Sequence, residues 1–341
     1  MNQNELDNLF RTKTRSERYY LENPGAVSSV YQNLEQKQVK GKTVLHFYLP
    51  TLKETEILIR KDSRFTSVPD HVHSNLNLNF IYSGKCDYVI DNRPITLYQG
   101  DVVIFDKDVI RRKLYAGEND IVINLSMSNE FFDNGFLRQI GEQSILSHFM
   151  LHVLADGNDT HDHYMVFRAH KNPVISTLFC QLFAEYYDGR LYSKEMIQGY
   201  LHLIFVELLR LYHDEAQDTL VQISSGQVQS TMEILLYLER HFAFCTLEEL
   251  SGVFGYHPKY ISALLKKQTG KTFKEIQLDL RLKACLRLLE DTDRPVQEIF
   301  QEVGAGNQNF FYKYFEKNCK KSPSQYRKEH RIDAPYAFPK A

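Results

Sequence analysis

The 341-residue sequence lacks most of the features that would assign it to a class at once. No run approaches the roughly 18 consecutive apolar residues of a membrane span, so no membrane partner is expected. The opening MNQNELDNLFRTKTRSERYY has neither an apolar signal core nor a cleavage-like site. Cysteine is sparse: Cys86, Cys180, Cys245, Cys285 and Cys319 are odd in number and scattered, with no CxxC pair and no Cys/His cluster. That pattern offers neither a disulfide frame nor a zinc module, and the expected setting is reduced and cytoplasmic. A Gly-rich phosphate loop, a nucleophile elbow and a convincing carboxylate pair are also missing, so no catalytic residue and no cofactor is expected.

What is present is uneven. The net charge of -2 hides an asymmetry: residues 228–331 hold 17 Lys+Arg against 13 Asp+Glu, a balance of +4, while residues 1–227 hold 23 against 29, a balance of -6. A basic last third on an acidic body suggests a polyanionic partner for that third. The texture changes along the chain as well. Residues 1–42 are polar and read as an arm or capping segment. Residues 43–130 carry short β-branched and aromatic runs bounded by turn residues (HFYLP, TEILIR, LNLNFIYSG, CDYVID, PITLYQG, DVVIFD), the pattern of a sandwich or small barrel. Residues 131–213 read as helical. There Val174, Leu178, Leu182 and Tyr186, then Ile197, Leu201, Ile204, Leu208 and Leu211, recur at helical spacing on either side of Asp188-Gly189, which predicts an antiparallel hairpin. Residues 214–229, polar around Ser224-Ser225-Gly226, read as a linker, and residues 230–330 as an all-α domain.

Within that last domain one plan occurs twice. Thr246 stands at an N-cap with Glu249 at the capping-box position, Leu247, Leu250 and Val253 form an apolar stripe, and Gly255 permits a sharp turn. A second helix opens at Pro258 and turns Ile261, Leu264 and Leu265 inward. Val296, Ile299 and Val303, then Gly304, then Phe311 and Phe315 repeat the arrangement about fifty residues later. Two short helices about a glycine turn form the unit that seats a helix in a major groove. A helix over about 272–290 joins the two units and spans roughly 28 Å, close to the DNA turn of about 34 Å. Phe310, Phe311, Tyr314 and Phe315 are expected in the core.

These residues resemble the DNA-binding domain of the AraC/XylS family of bacterial regulators. The likeness is carried by Leu250, Gly255-Tyr256, Tyr260-Ile261-Ser262, Leu265-Lys266-Lys267, Thr269-Gly270, Arg281-Leu282, Val303-Gly304, Phe315-Glu316-Lys317 and the closing Ser322-Pro323-Ser324-Gln325-Tyr326-Arg327. Ala305 departs from the aromatic residue usual after that glycine. The resemblance implies that the first reading helix presents Lys259, Ser262, Ala263 and Lys266, and the second Gln308, Asn309, Tyr312 and Lys313. Lys pairs with guanine and Gln or Asn with adenine, whereas Ala263 offers only a methyl.

In the front region HVHSNLNLNF alternates strictly. Read as one strand, it sets His71, His73, Asn75, Asn77 and Asn79 on a polar face and Val72, Leu76, Leu78 and Phe80 on an apolar one. The region resembles the cupin-like sensing barrel that precedes the DNA-binding domain in many AraC-type regulators. Two readings of the polar face stay open: a pocket for a small polar ligand lined by His71, His73, Asn77, Asn79 and Arg112, or a solvated strand face. His71-x-His73 has metal-ligand spacing, but no carboxylate lies in 74–80 and Arg111-Arg112 stand where a further histidine belongs, so no metal is expected. His161-Asp162-His163 reads as surface loop.

The fold expected is therefore α+β and multidomain: a cupin-like β-barrel with a helical hairpin, then an all-α double helix-turn-helix domain. Resemblance implies a transcriptional activator controlled by a small-molecule effector, a sugar or related nutrient, acting as a homodimer on promoter DNA with RNA polymerase. The alternatives are a metal-dependent cupin enzyme fused to a DNA-binding tail, and a ligand-independent regulator whose front domain only dimerises.

Overall fold

The computed structural model describes residues 1–48, 57–128, 163–214 and 226–331. The chain divides into two compact units, Met1–Gln229 and Ser230–Ala341. Elements are numbered along the described residues.

The front unit opens with α1 (Gln3–Arg11) and α2 (Arg15–Glu22), each started by a full capping box: Asn2 with Glu5, and Thr14 with Glu17. A 3₁₀ turn, Ser29–Asn33, leads into the strands. The expected arm is thus largely structured, with Leu6 and Phe10 each about 1% exposed. Eleven strands follow among the described residues: β1 (Gln36–Val39), β2 (Lys42–Phe47), β3 (Ile57–Lys61), β4 (Val68–His73), β5 (Leu76–Ser83), β6 (Lys85–Ile90), β7 (Arg93–Tyr98), β8 (Val102–Phe105), β9 (Arg111–Lys113), β10 (Ile121–Met127) and β11 (Tyr164–Phe167). They form a six-stranded sheet, β1-β2-β4-β9-β6-β7, and a five-stranded one, β11-β8-β5-β10-β3. All pairs are antiparallel except β2 with β4. The sheets face each other across a core that joins Tyr88, Ile90 and Leu97 of one to Ile81, Phe105, Val122 and Val166 of the other.

Three expectations need correcting here. Residues 71–80 are not one strand: β4 ends at His73, the chain turns through Ser74-Asn75, and β5 runs in the opposite sheet. Tyr164–Phe167, read as part of a helical stretch, is a buried strand pairing with β8, its four-residue run too short for period to separate strand from helix. His163, read as loop surface, is 3% exposed beside that strand; His161 and Asp162 lie outside the described residues.

The hairpin is present as α3 (Pro173–Asp188) and α4 (Ser193–Asp214), with Gly189 left-handed at the α3 C-cap, φ 57°. The α4 stripe Ile197, Leu201, Ile204, Leu208 and Leu211 is buried as read. On α3 the face is rotated by one residue: Ile175, Phe179, Leu182 and Phe183 are buried while Val174 is 49% exposed. Phe179 stacks on Phe80 of β5 with centroids 4.2 Å apart, and Phe10 of α1 meets Tyr82 and Phe183 edge-on. The hairpin therefore covers the outer face of the second sheet and is itself clasped by α1.

The second unit is helical: α5 (Gly226–His241), α6 (Leu247–Phe254), α7 (Pro258–Thr269), α8 (Phe273–Asp291), α9 (Val296–Glu302), α10 (Gln308–Cys319) and α11 (Pro323–His330). Of the expected linker, residues 215–225 lie outside the described residues, and α5 begins at Gly226, the Ser-Ser-Gly glycine itself.

Candidate functional site

Between the two sheets of the front unit lies a cavity of about 270 Å³. His71, His73 and Asn79 line it, with Phe47, Tyr88, Arg111, Lys113, Asn124 and Ser126. The solvated reading of the polar face is overturned: His71, His73, Asn77 and Asn79 are all at most 9% exposed. Because β4 and β5 belong to opposite sheets, the histidines and asparagines approach from two walls. Asn77 stands behind the lining. Its amide donates to Asn124 Oδ1 at 2.7 Å and Ser126 Oγ at 3.2 Å, and its Oδ1 accepts from Arg111 Nη2 at 2.9 Å.

Arg112 does not belong to the cavity. It lies on the outer face of β9 in a two-pronged pair with Asp70, at 3.0 and 2.9 Å. The three-residue strand alternates buried, exposed, buried, so Arg111 and Lys113 point inward instead. Arg111 is 1% exposed, its guanidinium 4.1 Å over the Phe105 ring. Burial pulls its pKa down to about 10, which still leaves it charged at neutral pH. Burial first, and then the Arg111 charge, hold His71 neutral with a pKa of about 3, and depress His73 as well. A buried cation next to two histidines opposes a second cation between them. Among the described residues no cluster of three His, Cys, Asp or Glu is placed to hold a metal.

In the second unit, both helix-turn-helix repeats are built as local rules require. Thr246 accepts from Glu249 N at 3.1 Å to start α6, but the Glu249 carboxylate accepts from Tyr237 OH at 2.7 Å rather than closing the capping box. Gly255 ends α6 left-handed at φ 71°, and His257 caps α7 before Pro258. Ile261, Leu264 and Leu265 are buried, whereas Val253 of the expected α6 stripe is 52% exposed. In the second repeat Gly304 has φ 75°, and Asn307 caps α10 through Phe310 N at 3.0 Å. Ala305, where an aromatic was usual, is buried in the core with Phe300, Phe311 and Phe315.

The connecting α8 covers 19 residues and serves both repeats. Phe273, Ile276 and Leu280 are buried in its first half, and Cys285 and Leu289 join the core of the second repeat. Gln277 Nε2 donates to the carbonyls of Phe242 and Cys245, both at 2.8 Å, and Arg281 Nη2 to that of Ala243 at 2.7 Å. A Cβ on Gly304 would lie 1.7 Å from the same Ala243 oxygen. The turn of the second repeat is thus pressed against the segment that opens the first, and the spacing of α7 and α10 is fixed by backbone contact.

Residues 250–329 match the family model described as a helix-turn-helix domain. The HTH-type transcriptional regulator YobQ of Bacillus subtilis is 32% identical over 110 residues, which is 32% of this chain and 46% of that protein. The chain therefore matches under half of that relative's length. The Msm operon regulatory protein of Streptococcus mutans is 22% identical over 261 residues, 76% of this chain and 86% of that one. Among solved structures, the C-terminal domain of AraT, a response regulator from Geobacillus stearothermophilus, is 29% identical over 33% of this chain and 93% of its own, with a TM-score of 0.30. The second unit is an AraC-type helix-turn-helix domain.

The closing SPSQYR of the AraC-type domain has a physical reason at five of its six positions, all but the exposed Ser324. Ser322 and Gln325 close a capping box on α11 and Pro323 takes its first turn. The Tyr326 ring meets Phe315 edge-on while its hydroxyl donates to Glu290 at 2.6 Å, and Arg327 Nη2 donates to Arg294 O at 2.5 Å. On the reading helices, Lys259, Ala263, Lys266, Asn309, Tyr312 and Lys313 are exposed, with Ser262 and Gln308 partly so. Lys266 donates to Gly270 O at 2.7 Å and so closes the end of α7. Lys259 and Lys313 form no ion pair among the described residues. Phe310, expected in the core, is 54% exposed beside Asn309, and Tyr314 is partly buried with its hydroxyl on Asp279 at 2.8 Å.

Proposed function

We propose that the chain is a sequence-specific DNA-binding transcriptional regulator in which α7 and α10 enter successive major grooves and a small molecule in the front cavity governs their use. The observation that carries this reading is the doubled helix-turn-helix with its spacing locked by α8 and by the Gly304–Ala243 contact. Lys259, Ser262, Ala263 and Lys266 of α7, and Gln308, Asn309, Tyr312 and Lys313 of α10, form the reading faces. Lys313 and Asn309 have the donors to read base edges, whereas Ala263 supplies only a methyl. The relatives named as an HTH-type transcriptional regulator and as an operon regulatory protein support the same role.

The cavity in the front unit receives the effector. Ligand occupancy shifts the population competent to bind a promoter or contact RNA polymerase, and a homodimer supplies two such domains. The reduced cytoplasm is the compartment this requires, and activation is the expected sign.

Genome-wide mapping of bound fragments, followed by fluorescence anisotropy on the recovered duplexes, tests the reading. One class of sites bound at least ~10³-fold more tightly than random duplex is expected. If the protein ignores every duplex at low ionic strength, with or without cell-extract metabolites, the proposal falls.

A further inference from the structure

We propose that the front cavity is a receptor for a small hydroxylated carboxylate, its anionic group held by Arg111 and its hydroxyls by Asn79 and His71. This rests on the effector reading of the cavity and adds the effector's chemistry.

Arg111 is the starting point. A buried charge is stable only when it is compensated, and no carboxylate lies within ion-pair distance of Arg111 among the described residues. The other buried cations at the cavity are already answered: Lys113 Nζ pairs with Asp62 at 2.8 Å, and Lys61 Nζ with Glu17 at 2.9 Å; Arg60, which also lines the cavity, is exposed to solvent. Arg111 Nη2 donates to a neutral amide oxygen on Asn77, and its contact with Val109 O is long at 3.5 Å. Its remaining N–H groups have no acceptor among the described residues, so the site holds a buried positive charge without a carboxylate partner there and with donors to spare.

The acceptors in the wall complete the description. Asn79 Nδ2 donates to Tyr88 OH at 2.8 Å, which fixes Asn79 Oδ1 as an acceptor, and that oxygen is buried without a partner among the described residues. His71 Nδ1 lies 2.8 Å from Pro69 O, so the proton belongs on Nδ1 and Nε2 is left to accept. A ligand that fits carries an anionic group for Arg111 and hydroxyl donors for Asn79 and His71. A neutral polyol leaves the guanidinium uncompensated. A phosphate dianion brings two charges to Arg111, the buried cation that lacks a carboxylate partner among the described residues. The volume of about 270 Å³ is just below the usual range for ligand pockets, roughly 300–1,000 Å³, and suits a single five- or six-carbon acid.

The test is isothermal titration of the full chain with D-gluconate and D-galacturonate, against their neutral counterparts D-glucitol and D-galactose, and against D-glucose 6-phosphate. At least one acid is expected to bind about tenfold or more tightly than its neutral counterpart, the worth of a hydrogen bond to a charged group. Arg111→Met should reduce that preference to within a factor of about three. The unliganded variant should unfold at or above the wild-type temperature, because it no longer buries an unpaired charge. Should the methionine variant fail to fold, Arg111→Lys keeps the charge and loses the fork, and is expected to retain a weakened preference for the acid. A neutral sugar binding as tightly as its acid, the phosphate ester binding tightest, an unaltered preference in Arg111→Met, or no binding by any probe at roughly 10 mM overturns the proposal. DNA binding is measured on the same protein without ligand. Loss of the regulator reading is therefore distinguishable from loss of this one.

Discussion

Replacing Gly304 and Gly255 by alanine, separately, probes the fixed spacing of the two reading helices. The glycines occupy equivalent turns and have nearly the same backbone, φ 75° and φ 71°. For an L-residue that left-handed conformation costs roughly 1–2 kcal/mol, a term both variants share. The surroundings differ. Nothing lies within 4 Å of a Cβ built on Gly255, whereas one on Gly304 meets the Ala243 O at 1.7 Å, its C at 2.5 Å and its Cα at 2.9 Å. All three are backbone atoms on a segment tied down by Gln277 and Arg281, so no side chain can swing aside. Overpacking of that kind adds about 1–3 kcal/mol. Gly255→Ala should therefore cost about 1–2 kcal/mol and Gly304→Ala about 2–5, out of roughly 5–15 for a domain of this size. Because the chain has two units and a single melting curve would mix them, the readout is amide hydrogen exchange over α9 and α10, beside anisotropy on a bound duplex. Gly304→Ala should lose protection there and lose affinity, while Gly255→Ala keeps most of both. Equal costs for the two variants, within about 0.5 kcal/mol, would refute the bracing contact.

Three further outcomes are expected. Lys313→Ala should weaken specific binding by about 1–3 kcal/mol and relax preference at one base pair if it reads a base, or lower the salt slope by about one unit if it meets phosphate; unchanged affinity and slope would place it outside the interface. Glu17 is buried between Arg64 and Lys61, and although burial pushes its carboxyl up, the hydrogen bonds from those two cations bring it down to about 2 from 4.5. The unfolded chain therefore takes up that proton first as pH falls. The contribution is complete above about pH 4.5 and is lost between there and 2, on the order of 3 kcal/mol. In urea unfolding at pH 3 and pH 6, Glu17→Gln should narrow the difference between the two pH values; an undiminished difference argues against this site. Finally, Ser322→Ala removes the α11 capping bond and should cost about 1 kcal/mol, visible as faster exchange in α11 with the front unit unaffected.

The second unit was legible in the sequence because each of its signals is local. Caps, glycine turns and apolar stripes act within one or two helical turns, and the plan occurs twice, so each copy supports the other. Where the reading failed there, at Val253 and Phe310, the helix was right and the face was not, since which apolar residues of a short helix are covered depends on neighbours distant in sequence. The front unit was less legible for a related reason. Strict alternation across His71 to Phe80 is what one strand produces, but two strands separated by a two-residue turn keep the same parity while changing sheets. The strand Tyr164–Phe167 was hidden because a four-residue apolar run fits either period.

The choice between Arg111 and Arg112 shows what kind of information was missing. In a three-residue strand alternation says only that one arginine faces in and the other out. The assignment comes from pairing: His71 lies opposite Arg111, and Tyr88 opposite Lys113. Cross-strand partners share a face, so once His71 is buried its partner must be buried with it. A single register therefore places an arginine in the cavity and sends its neighbour to Asp70 on the surface. A slip of one residue would exchange the two. The cavity would then be walled by Arg112 alone from β9, without its Asp70 partner, while Arg111 and Lys113 would stand exposed. The same register that the sequence could not reveal thus decides which cations of β9 wall the cavity and where their donors stand, and with that the geometry offered to whatever the cavity receives.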